Sequence, residues 1–321
     1  MITTKIDETE FYILRYSLTE EKQKSCFPKA LPFPKGNAIE VAILNDQEWL
    51  DKGTIFSFVG FKKVHVNNLD TKNIAEYLYI GKFARLRKAK LGGKIPGDII
   101  DHEEDDWIPV IVIFDTKNQF IFVQKSYKFS NGDNIRYICR KIEKGLLNSV
   151  LPEYNYNIFV EPVPKQGGFW SIVDTHEKIY ELDMTLISPN ILQTNQKARK
   201  ALENIQDLYS PDKTEIKMKS KSGSLEVPKN PIGDYIEYIE EGEGEWKVKV
   251  DEKGRKKTIS SYHMAETIVL PIYKEEDELI FKDQYELDVV NDRESDINIL
   301  NSFARRLVKR VYSYINDRRN E

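Results

Sequence analysis

The stretch KTEIKMKSKSGS, which begins at residue 213, alternates between apolar and charged positions. Ile216 and Met218 fall on one side of an extended chain, and Lys217 and Lys219 fall on the other. Because successive side chains of a strand point to opposite faces, this pattern predicts a half-buried strand with a row of lysines on its wet face. Lys221 continues that row in the sequence.

Similar patterns predict further elements in the C-terminal two-thirds. The apolar runs WIPVIVIF and QFIFVQKSY flank the turn formers DTKN and predict a hairpin. GDNIRYICRKIEKGLL has helical spacing, YNYNIFVEPVP and IYELDMTLIS predict strands, and Ser188-Pro189 begins a second helix. The order ββαββαβ predicts an α+β fold of mostly antiparallel sheets with helices on one face, in a ferredoxin-like arrangement.

The first third is rich in aromatic and β-branched residues, as in EFYILRYSL and TIFSFVGFKKVHV, and predicts strands. The acidic run DHEEDD, Asp101–Asp106, has no apolar position and predicts an exposed connector. We therefore expect two domains: a β-rich domain at 1–105 and an α+β domain at 106–321 that ends in a basic amphipathic helix.

Two later segments place cations on an exposed face. EGEGEWKVKVDEKGRKKTIS predicts a hairpin with an apolar inner face, and DINILNSFARRLVKRVYSYINDRR predicts an amphipathic final helix. The outward-facing cations of these two segments are Lys247, Lys249, Arg305, Arg306, Lys309 and Arg310. KFARLRKAK, near residue 85, adds another basic segment.

Composition limits the class of protein. The 321 residues carry 48 Lys and Arg against 52 Asp and Glu, which excludes a uniformly basic nucleic-acid binder but allows a local basic surface. No apolar run reaches the ~20 residues that span a bilayer, and the start lacks a signal-peptide pattern. Cys26 and Cys139 are isolated, so neither a disulfide framework nor a thiolate zinc site is expected. We expect a cytoplasmic protein without metal or cofactor.

Glu215-Ile216-Lys217 matches the acid-x-lysine element of metal-dependent nucleases. In such enzymes two carboxylates hold a divalent metal and the lysine steadies the attacking water. Asp207 or Asp212 would supply the second carboxylate. Three other matches, one of them at Asp115 in a predicted turn, show that so charged a chain produces this pattern by chance. A metal-dependent nuclease is therefore the alternative to a binding protein.

The lysine rows favour an anionic partner if their strands are neighbours. Lysines directly opposed on paired strands repel each other, and phosphates would relieve that repulsion between Lys217 and Lys247. A solvated face balanced by nearby acids remains an equal alternative. On the first interpretation the partner is nucleic acid, with DNA favoured over RNA.

Two segments carry a resemblance to a known group of proteins. They are FWSIVDTHEKIYELDMTLISPNILQTNQKARKALENI and TEIKMKSKSGSLEVPKNPIGDYIEYIEEGEGEWKVKV. They resemble a poorly characterised family of bacterial proteins found in prophages and phage-defence loci. The order of elements, with a late basic helix, also resembles the DNA-binding sensor protein of a temperate-phage exclusion system. The likeness covers about the last two-thirds of the chain.

The resemblance implies abortive infection or phage exclusion through nucleic-acid or partner-protein binding, and it transfers no catalytic residue. We expect a non-catalytic nucleic-acid-binding component of an anti-phage or prophage system. A scaffold that binds a second protein from the same locus is a further alternative, and a homo-oligomer is left open. No membrane partner is expected.

Overall fold

The chain is an α+β protein built on two antiparallel sheets, as the sequence pattern predicts. A computed structural model describes residues 5–20, 37–44, 46–64, 77–130, 134–154, 156–187, 202, 205, 208–209, 211–274 and 294–320. Every ladder between the described strands is antiparallel. The predicted fold class is therefore confirmed.

The larger sheet has eight strands. In chain order they are β1 (Lys5–Glu20), β2 (Gln47–Asp51), β3 (Thr54–Lys63), β4 (Leu78–Ile95), β5 (Asp98–Asp115), β6 (Phe120–Gln124), β7 (Tyr156–Pro162) and β12 (Thr267–Lys274). Their order across the sheet is β12-β1-β6-β5-β4-β3-β2, and β7 pairs with the second half of β1. Pro271 lies in the edge strand β12, where a residue without an N–H donor is tolerated.

The smaller sheet has four strands in the order β11-β10-β8-β9. They are β8 (Ile179–Ile187), β9 (Lys213–Lys219), β10 (Gly244–Glu252) and β11 (Arg255–Ser260). The helices of the described residues are α1 (Asn37–Leu44), α2 (Tyr127–Ser130), α3 (Ile135–Tyr154), α4 (Gly168–Thr175), α5 (Lys229–Glu240) and α6 (Glu294–Asn320), with a 3₁₀ turn at Ser261–Met264. None of these helices has the length and apolar character that a membrane span requires.

Helices cover both faces of the larger sheet because β1 is apolar on both faces. Leu14 and Tyr16 pack with α1 and α3 on one face, whereas Phe11 and Ile13 pack with α6 on the other. The expectation of helices on one face therefore holds for α1 and α3 and not for α6. A strand that is buried on both sides has apolar residues at successive positions, as β1 does.

The order ββαββαβ is present along the chain, but its strands are divided between the two sheets. β5, β6 and β7 belong to the larger sheet, and β8 and β9 belong to the smaller one. This differs from a ferredoxin-like arrangement because the later strands pair with β10. The predicted helix from Ser188 to Tyr209 lies largely outside the described residues, although Leu202 within it is helical and buried.

The acidic run Asp101–Asp106 is part of a strand and not a connector. It lies in β5 and pairs with the basic end of β4, with Arg87 opposite Asp106 and Lys88 opposite Asp105. Opposite charges on adjacent strands stabilise such a pairing, which neither segment reveals alone. The expected domain boundary between 105 and 106 thus falls inside one continuous strand, and strands from both sides of it share the larger sheet.

Both predicted hairpins are present. Asp115 lies in the turn between β5 and β6, where its Oδ1 accepts hydrogen bonds from the backbone N–H groups of Lys117 and Asn118 at 3.0 and 2.9 Å. Turn chemistry therefore accounts for the acid-x-lysine match at Asp115. In the β10–β11 hairpin, Trp246 is fully buried and Lys247 lies on the outer face.

Candidate nucleic-acid interface

The lysines of β9 and β10 lie on the outer face of the smaller sheet, but their strands are not neighbours. β8 separates them, so that Asp183 lies between Lys217 and Lys247. The next row repeats this arrangement with Glu181 between two lysines. The lysines of the two rows are Lys217, Lys219, Lys247 and Lys249. The repulsion that would favour an outside anion is therefore relieved within the sheet.

The lysine ammonium groups in these rows lie within 4 Å of carboxylate oxygens. Lys217 Nζ lies 2.9 Å from Asp183 Oδ2 and 3.0 Å from Glu181 Oε1. Lys219 and Lys249 approach the same Glu181 carboxylate at 3.8 and 3.7 Å. The hydrogen bond from Lys217 lowers the pKa of Glu181, and the hydrogen bond to Asp183 raises the pKa of Lys217. Three of the predicted lysines thus already have carboxylate partners.

The other two predicted lysines of this sheet have different surroundings. Lys247 Nζ lies 3.3 Å from Glu245 Oε2, a carboxylate that also accepts hydrogen bonds from the Arg136 guanidinium. Lys221 is exposed in the serine-rich turn that follows β9. The row of lysines on the strand therefore ends at Lys219.

Glu215 and Lys217 share the exposed face of β9, as the acid-x-lysine pattern requires. The proposed second carboxylate of Asp212 instead accepts a hydrogen bond from the Thr19 hydroxyl at 3.3 Å, and Asp207 lies outside the described residues. No group of three or more His, Cys, Asp or Glu side chains that could hold a metal ion is found in the part of the chain that the structure describes. Within that part, Glu215 therefore belongs to no such group of three, and Asp212 is engaged by Thr19.

The cations of α6 have a different environment, because three of the four line a cleft. The cleft lies between α6 and the edge of the larger sheet and encloses about 590 Å³. Its lining residues are Glu8, Pro271, Arg306, Lys309, Arg310 and Ser313. We call it the cationic cleft. Arg305 is exposed on the same helix but does not line it.

Two of the cleft cations form no ion pair with a described carboxylate. Neither Arg306 nor Lys309 has an ion-pair partner among the described residues, whereas Arg310 Nη2 lies 3.0 Å from Glu8 Oε1. The side chains of Arg310 and Glu8 are 52% and 60% exposed. Such exposed pairs contribute little to stability, so Glu8 holds Arg310 only weakly.

The rest of α6 fixes the helix that carries these cations. Its apolar face, which includes Val311, is buried against β1 and β12, as the helical spacing predicts. Near its end, the Arg318 guanidinium donates to the backbone oxygens of Glu240 and Pro164 at 3.0 and 2.8 Å. It also binds the Glu266 carboxylate at 2.7 Å. Packing and hydrogen bonding therefore hold the helix against both sheets.

The basic segment KFARLRKAK is already engaged in the protein. Arg87 and Lys88 form ion pairs with the acids opposite them on β5. Arg85 Nη2 donates to the backbone oxygen of Lys128 at 2.8 Å. The basic and acidic runs lie at matching distances from the turn at Pro96-Gly97, which is a signal that the sequence offers for their pairing.

A buried polar cluster between the two sheets was not expected from the sequence. The Tyr262 hydroxyl donates to Glu161 Oε2, and Lys213 Nζ lies 3.6 Å from Glu161 Oε1. The Arg136 guanidinium lies 3.8 Å from the centroid of the Tyr262 ring and binds Glu245. Burial raises the pKa of Glu161. Because its members come from distant segments and bind one another, we interpret this cluster as a joint between the sheets.

Comparison with known proteins gives a family and no further relative. No match to this chain was found among curated proteins or among solved structures. A family model described as a domain of unknown function, DUF4747, matches residues 97–284. The match covers β5 through β12 and more than half of the chain, while α6 lies beyond it. The chain therefore belongs to the DUF4747 family.

Proposed function

We propose that this protein binds the phosphate backbone of nucleic acid through the cationic cleft, and that it does so without catalysis. The observation that carries the proposal is the position of Arg306 and Lys309, which line one cleft with Arg310 and have no carboxylate partner among the described residues. Cations on one face of a packed helix suit a phosphate backbone, because each neutralised phosphate releases condensed counterions.

The lysine rows of the smaller sheet are weaker candidates. Lys217 and Lys219 lie beside the carboxylates of Asp183 and Glu181, which would repel a phosphate. The described residues that line the cleft include one carboxylate, that of Glu8, and three cations. We therefore assign the main contact to α6 and give the sheet lysines at most a peripheral role.

The biological setting of this binding is also a proposal. The resemblance to prophage and phage-exclusion proteins supports a role in anti-phage defence in the bacterial cytoplasm, with DNA as the favoured ligand. A scaffold that binds a second protein from the same locus would use other surfaces, and it predicts that nucleic acid does not bind. Binding at low ionic strength separates these two interpretations.

The test replaces all four α6 cations with alanine, at Arg305, Arg306, Lys309 and Arg310. We expect weaker binding to a labelled DNA duplex and a weaker salt dependence. The slope of log K against log salt should fall by up to about 3.6 if all four contact phosphate. Fluorescence anisotropy across a salt series measures both quantities, and a single-stranded DNA and an RNA duplex of the same length test the ligand class.

A matched control removes four exposed cations from the β10–β11 hairpin, at Lys253, Arg255, Lys256 and Lys257. This control changes the net charge equally and should leave the slope close to that of the wild type. Equal losses in both variants would mean that binding follows net charge alone. An unchanged slope in the α6 variant would remove the cleft from the interface.

The non-catalytic part of the proposal has its own assay. Purified protein is incubated with plasmid DNA and with RNA in the presence of Mg²⁺ or Mn²⁺, and we expect no cleavage. Metal-dependent cleavage that Glu215→Ala abolishes would establish the nuclease alternative instead. Cleavage that persists in Glu215→Ala would reject both the non-catalytic proposal and the acid-x-lysine site.

A further inference from the structure

The ends of β4 and β5 project beyond the larger sheet as a two-stranded arm, residues 86–107. β3 pairs with β4 only as far as Arg85, and β6 pairs with β5 only from Val112 onward. No residue of the arm is buried. At roughly 3.3 Å per residue, each strand of the arm is about 30 Å long. An isolated two-stranded ribbon is marginally stable in water, so an arm of this length is expected to pack against another surface.

One face of the arm carries three exposed apolar side chains, and we call it the apolar face. Leu91 and Ile95 are four residues apart on β4, and Ile100 of β5 lies opposite Gly93, midway between them. These three side chains therefore point to the same face. Each is between 40% and 47% exposed. Neighbouring exposed apolar side chains are typical of a surface that another protein covers.

The same face carries an excess of negative charge. Its carboxylates are those of Asp98, Glu104 and Asp106, and the one Lys or Arg among them is Arg87, which pairs with Asp106. His102, also on this face, pairs with Glu104. The opposite face is balanced in charge, with three lysines against three carboxylates at Lys88, Lys90, Lys94, Asp101, Glu103 and Asp105. It also exposes Ile99 and Trp107, at 67% and 38%, so the two faces differ in charge rather than in apolar character. The apolar face thus fits a surface that is both apolar and cationic.

The outer surface of α6 and β12 has this composition. Residues 305–310 include four cations and no acid. An apolar side chain of α6 is exposed beside them, that of Tyr312 at 38%. The backbone oxygen of Val269 accepts a hydrogen bond from Arg310 at 3.5 Å. The arm and this surface are therefore complementary in charge and in apolar character.

We propose that the arm of one copy docks by its apolar face in the cationic cleft of a second copy. Each copy offers one arm and one cleft, so a reciprocal exchange closes a two-fold dimer with two equivalent contacts. Two-fold edge-to-edge pairing of two arms is disfavoured, because it would place the basic β4 strands or the acidic β5 strands of the two copies together.

This inference rests on the proposed function in one respect only, which is its regulatory consequence. The docked arm would use Arg306 and Lys309, the cations assigned to phosphate. Nucleic acid and the partner's arm then compete for one cleft, so that the dimer is the unliganded state. Added duplex DNA should dissociate it, whereas formation of the dimer itself is measured without nucleic acid.

The test uses two charge reversals in the full chain. One is Asp98→Lys with Glu104→Lys on the arm, and the other is Arg306→Glu with Lys309→Glu in the cleft. Sedimentation velocity over a concentration series should show a salt-sensitive dimer for the wild type. Each reversal alone should raise the dimer dissociation constant by about tenfold or more, since close charge pairs at interfaces couple by at least ~1.5 kcal/mol.

Mixing the two reversed proteins gives the decisive result. Each arm then meets a cleft of opposite charge, so a heterodimer should form with a dissociation constant within about threefold of the wild type. A matched control, Asp101→Lys with Glu103→Lys, makes the same charge change on the opposite face of the arm and should leave dimerisation in place. A second variant, Leu91→Ser with Ile100→Ser, should weaken the dimer without changing charge.

Three results would overturn the inference: a monomer at low ionic strength, an equal loss in the opposite-face control, or no heterodimer from the mixture. Circular dichroism melting of each variant confirms that it is folded before its mass is interpreted. A dimer that behaves as expected while the fourfold α6 alanine variant still binds DNA normally would reject the proposed function and keep the dimer. Loss of DNA binding in the fourfold α6 variant, with no dimer in the wild type, would reject the dimer and keep the proposed function.

Discussion

Asp51 is an example of a single residue that joins two elements of the larger sheet's core. It ends β2 and binds the ammonium groups of Lys141 and Lys144 on α3. The hydrogen bonds from these two lysines lower the pKa of Asp51 from 3.8 to about 2. No local sequence pattern indicated this contact, because the three residues come from segments about 90 positions apart.

The lowered pKa of Asp51 predicts a defined pH dependence. Its ionised form stabilises the fold above the usual pKa of 3.8, and that contribution is lost as the pH falls toward 2. Asp51→Asn should therefore lower the free energy of unfolding at neutral pH by about 1–2 kcal/mol, allowing for partial exposure of the pair. The difference from the wild type should shrink between about pH 4 and pH 2.

Urea unfolding at several pH values measures this difference, with the exposed Asp174→Asn as a control that should change little. A constant difference between Asp51→Asn and the wild type at every pH would show that lost packing, and not the lost charge, causes the effect.

At the scale of elements, the sequence predicted which face of a strand or helix is exposed, but it did not predict which strands pair. The alternation around Lys217 placed the lysines on an exposed face, and the spacing of α6 placed Arg306 and Lys309 opposite its buried side; both are confirmed. The insertion of β8 between β9 and β10 was not predictable, because pairing of Asp183 with Lys217 joins segments 34 residues apart. Helix α5 was missed, since Pro231 and a following glycine obscure its apolar spacing.

The position of Glu181 and Asp183 between the lysines of β9 and β10 predicts the effect of removing their charges. Glu181→Gln with Asp183→Asn keeps the shapes of the side chains but leaves the surrounding lysines without counter-charges. We expect a loss of stability of about 0.5–1 kcal/mol from cross-strand repulsion. We also expect tighter, more salt-dependent binding of duplex DNA, because the freed lysines can contact phosphate. Anisotropy titrations at two ionic strengths, with urea unfolding, measure both effects.

Two companion variants sharpen that comparison. Asp251→Asn with Glu252→Gln removes the same charge from the β10–β11 hairpin and should increase binding less. In the wild-type background, Lys217→Ala with Lys219→Ala should change DNA affinity by less than about twofold. A loss of DNA affinity as large as that of the fourfold α6 variant would show that the smaller sheet makes the main contact with phosphate.

At the scale of the whole molecule, distant segments join the two sheets. Arg15 of β1 and Glu243, just before β10, form a buried ion pair at 3.3 Å, and Ser17 donates to the same carboxylate at 2.6 Å. At Gly242, where φ is +88°, an added Cβ would lie 2.8 Å from Arg15 Cβ, so a residue without a side chain is required for this approach. None of these contacts has a local signature in the sequence.

Pairing between segments far apart in sequence also explains why the predicted domain boundary falls inside a strand. Composition changes at Asp101–Asp106, but the chain does not divide there, because β12 returns from beyond the smaller sheet to pair with β1. Lys5 lies opposite Lys274 in that pairing. Hydrophobic periodicity identifies a strand and its buried face; it does not identify the strand's partner, which depends on contacts that the folded chain alone creates.

Arg318 provides a test of how strongly α6 couples the two sheets. Its guanidinium, 13% exposed, binds Glu266 at the start of the β12 segment, the backbone oxygen of Pro164 and the backbone oxygen of Glu240 at the end of α5. Arg318→Ala leaves two carbonyl oxygens without their donor and leaves the Glu266 carboxylate with the Tyr314 hydroxyl as its donor, so we expect a loss of about 2–4 kcal/mol in unfolding free energy. Arg318→Lys should recover only part of it, because one ammonium cannot reproduce the planar fork.

Arg310→Ala is the matched control for this prediction, because it removes an arginine from the same helix whose ion pair with Glu8 is exposed. It should cost less than about 1 kcal/mol. Hydrogen exchange adds a local measurement: Arg318→Ala should speed exchange in both α5 and the last turns of α6, whereas Arg310→Ala should not. Equal costs for the two variants, or faster exchange confined to α6, would show that Arg318 secures its own helix without coupling the sheets.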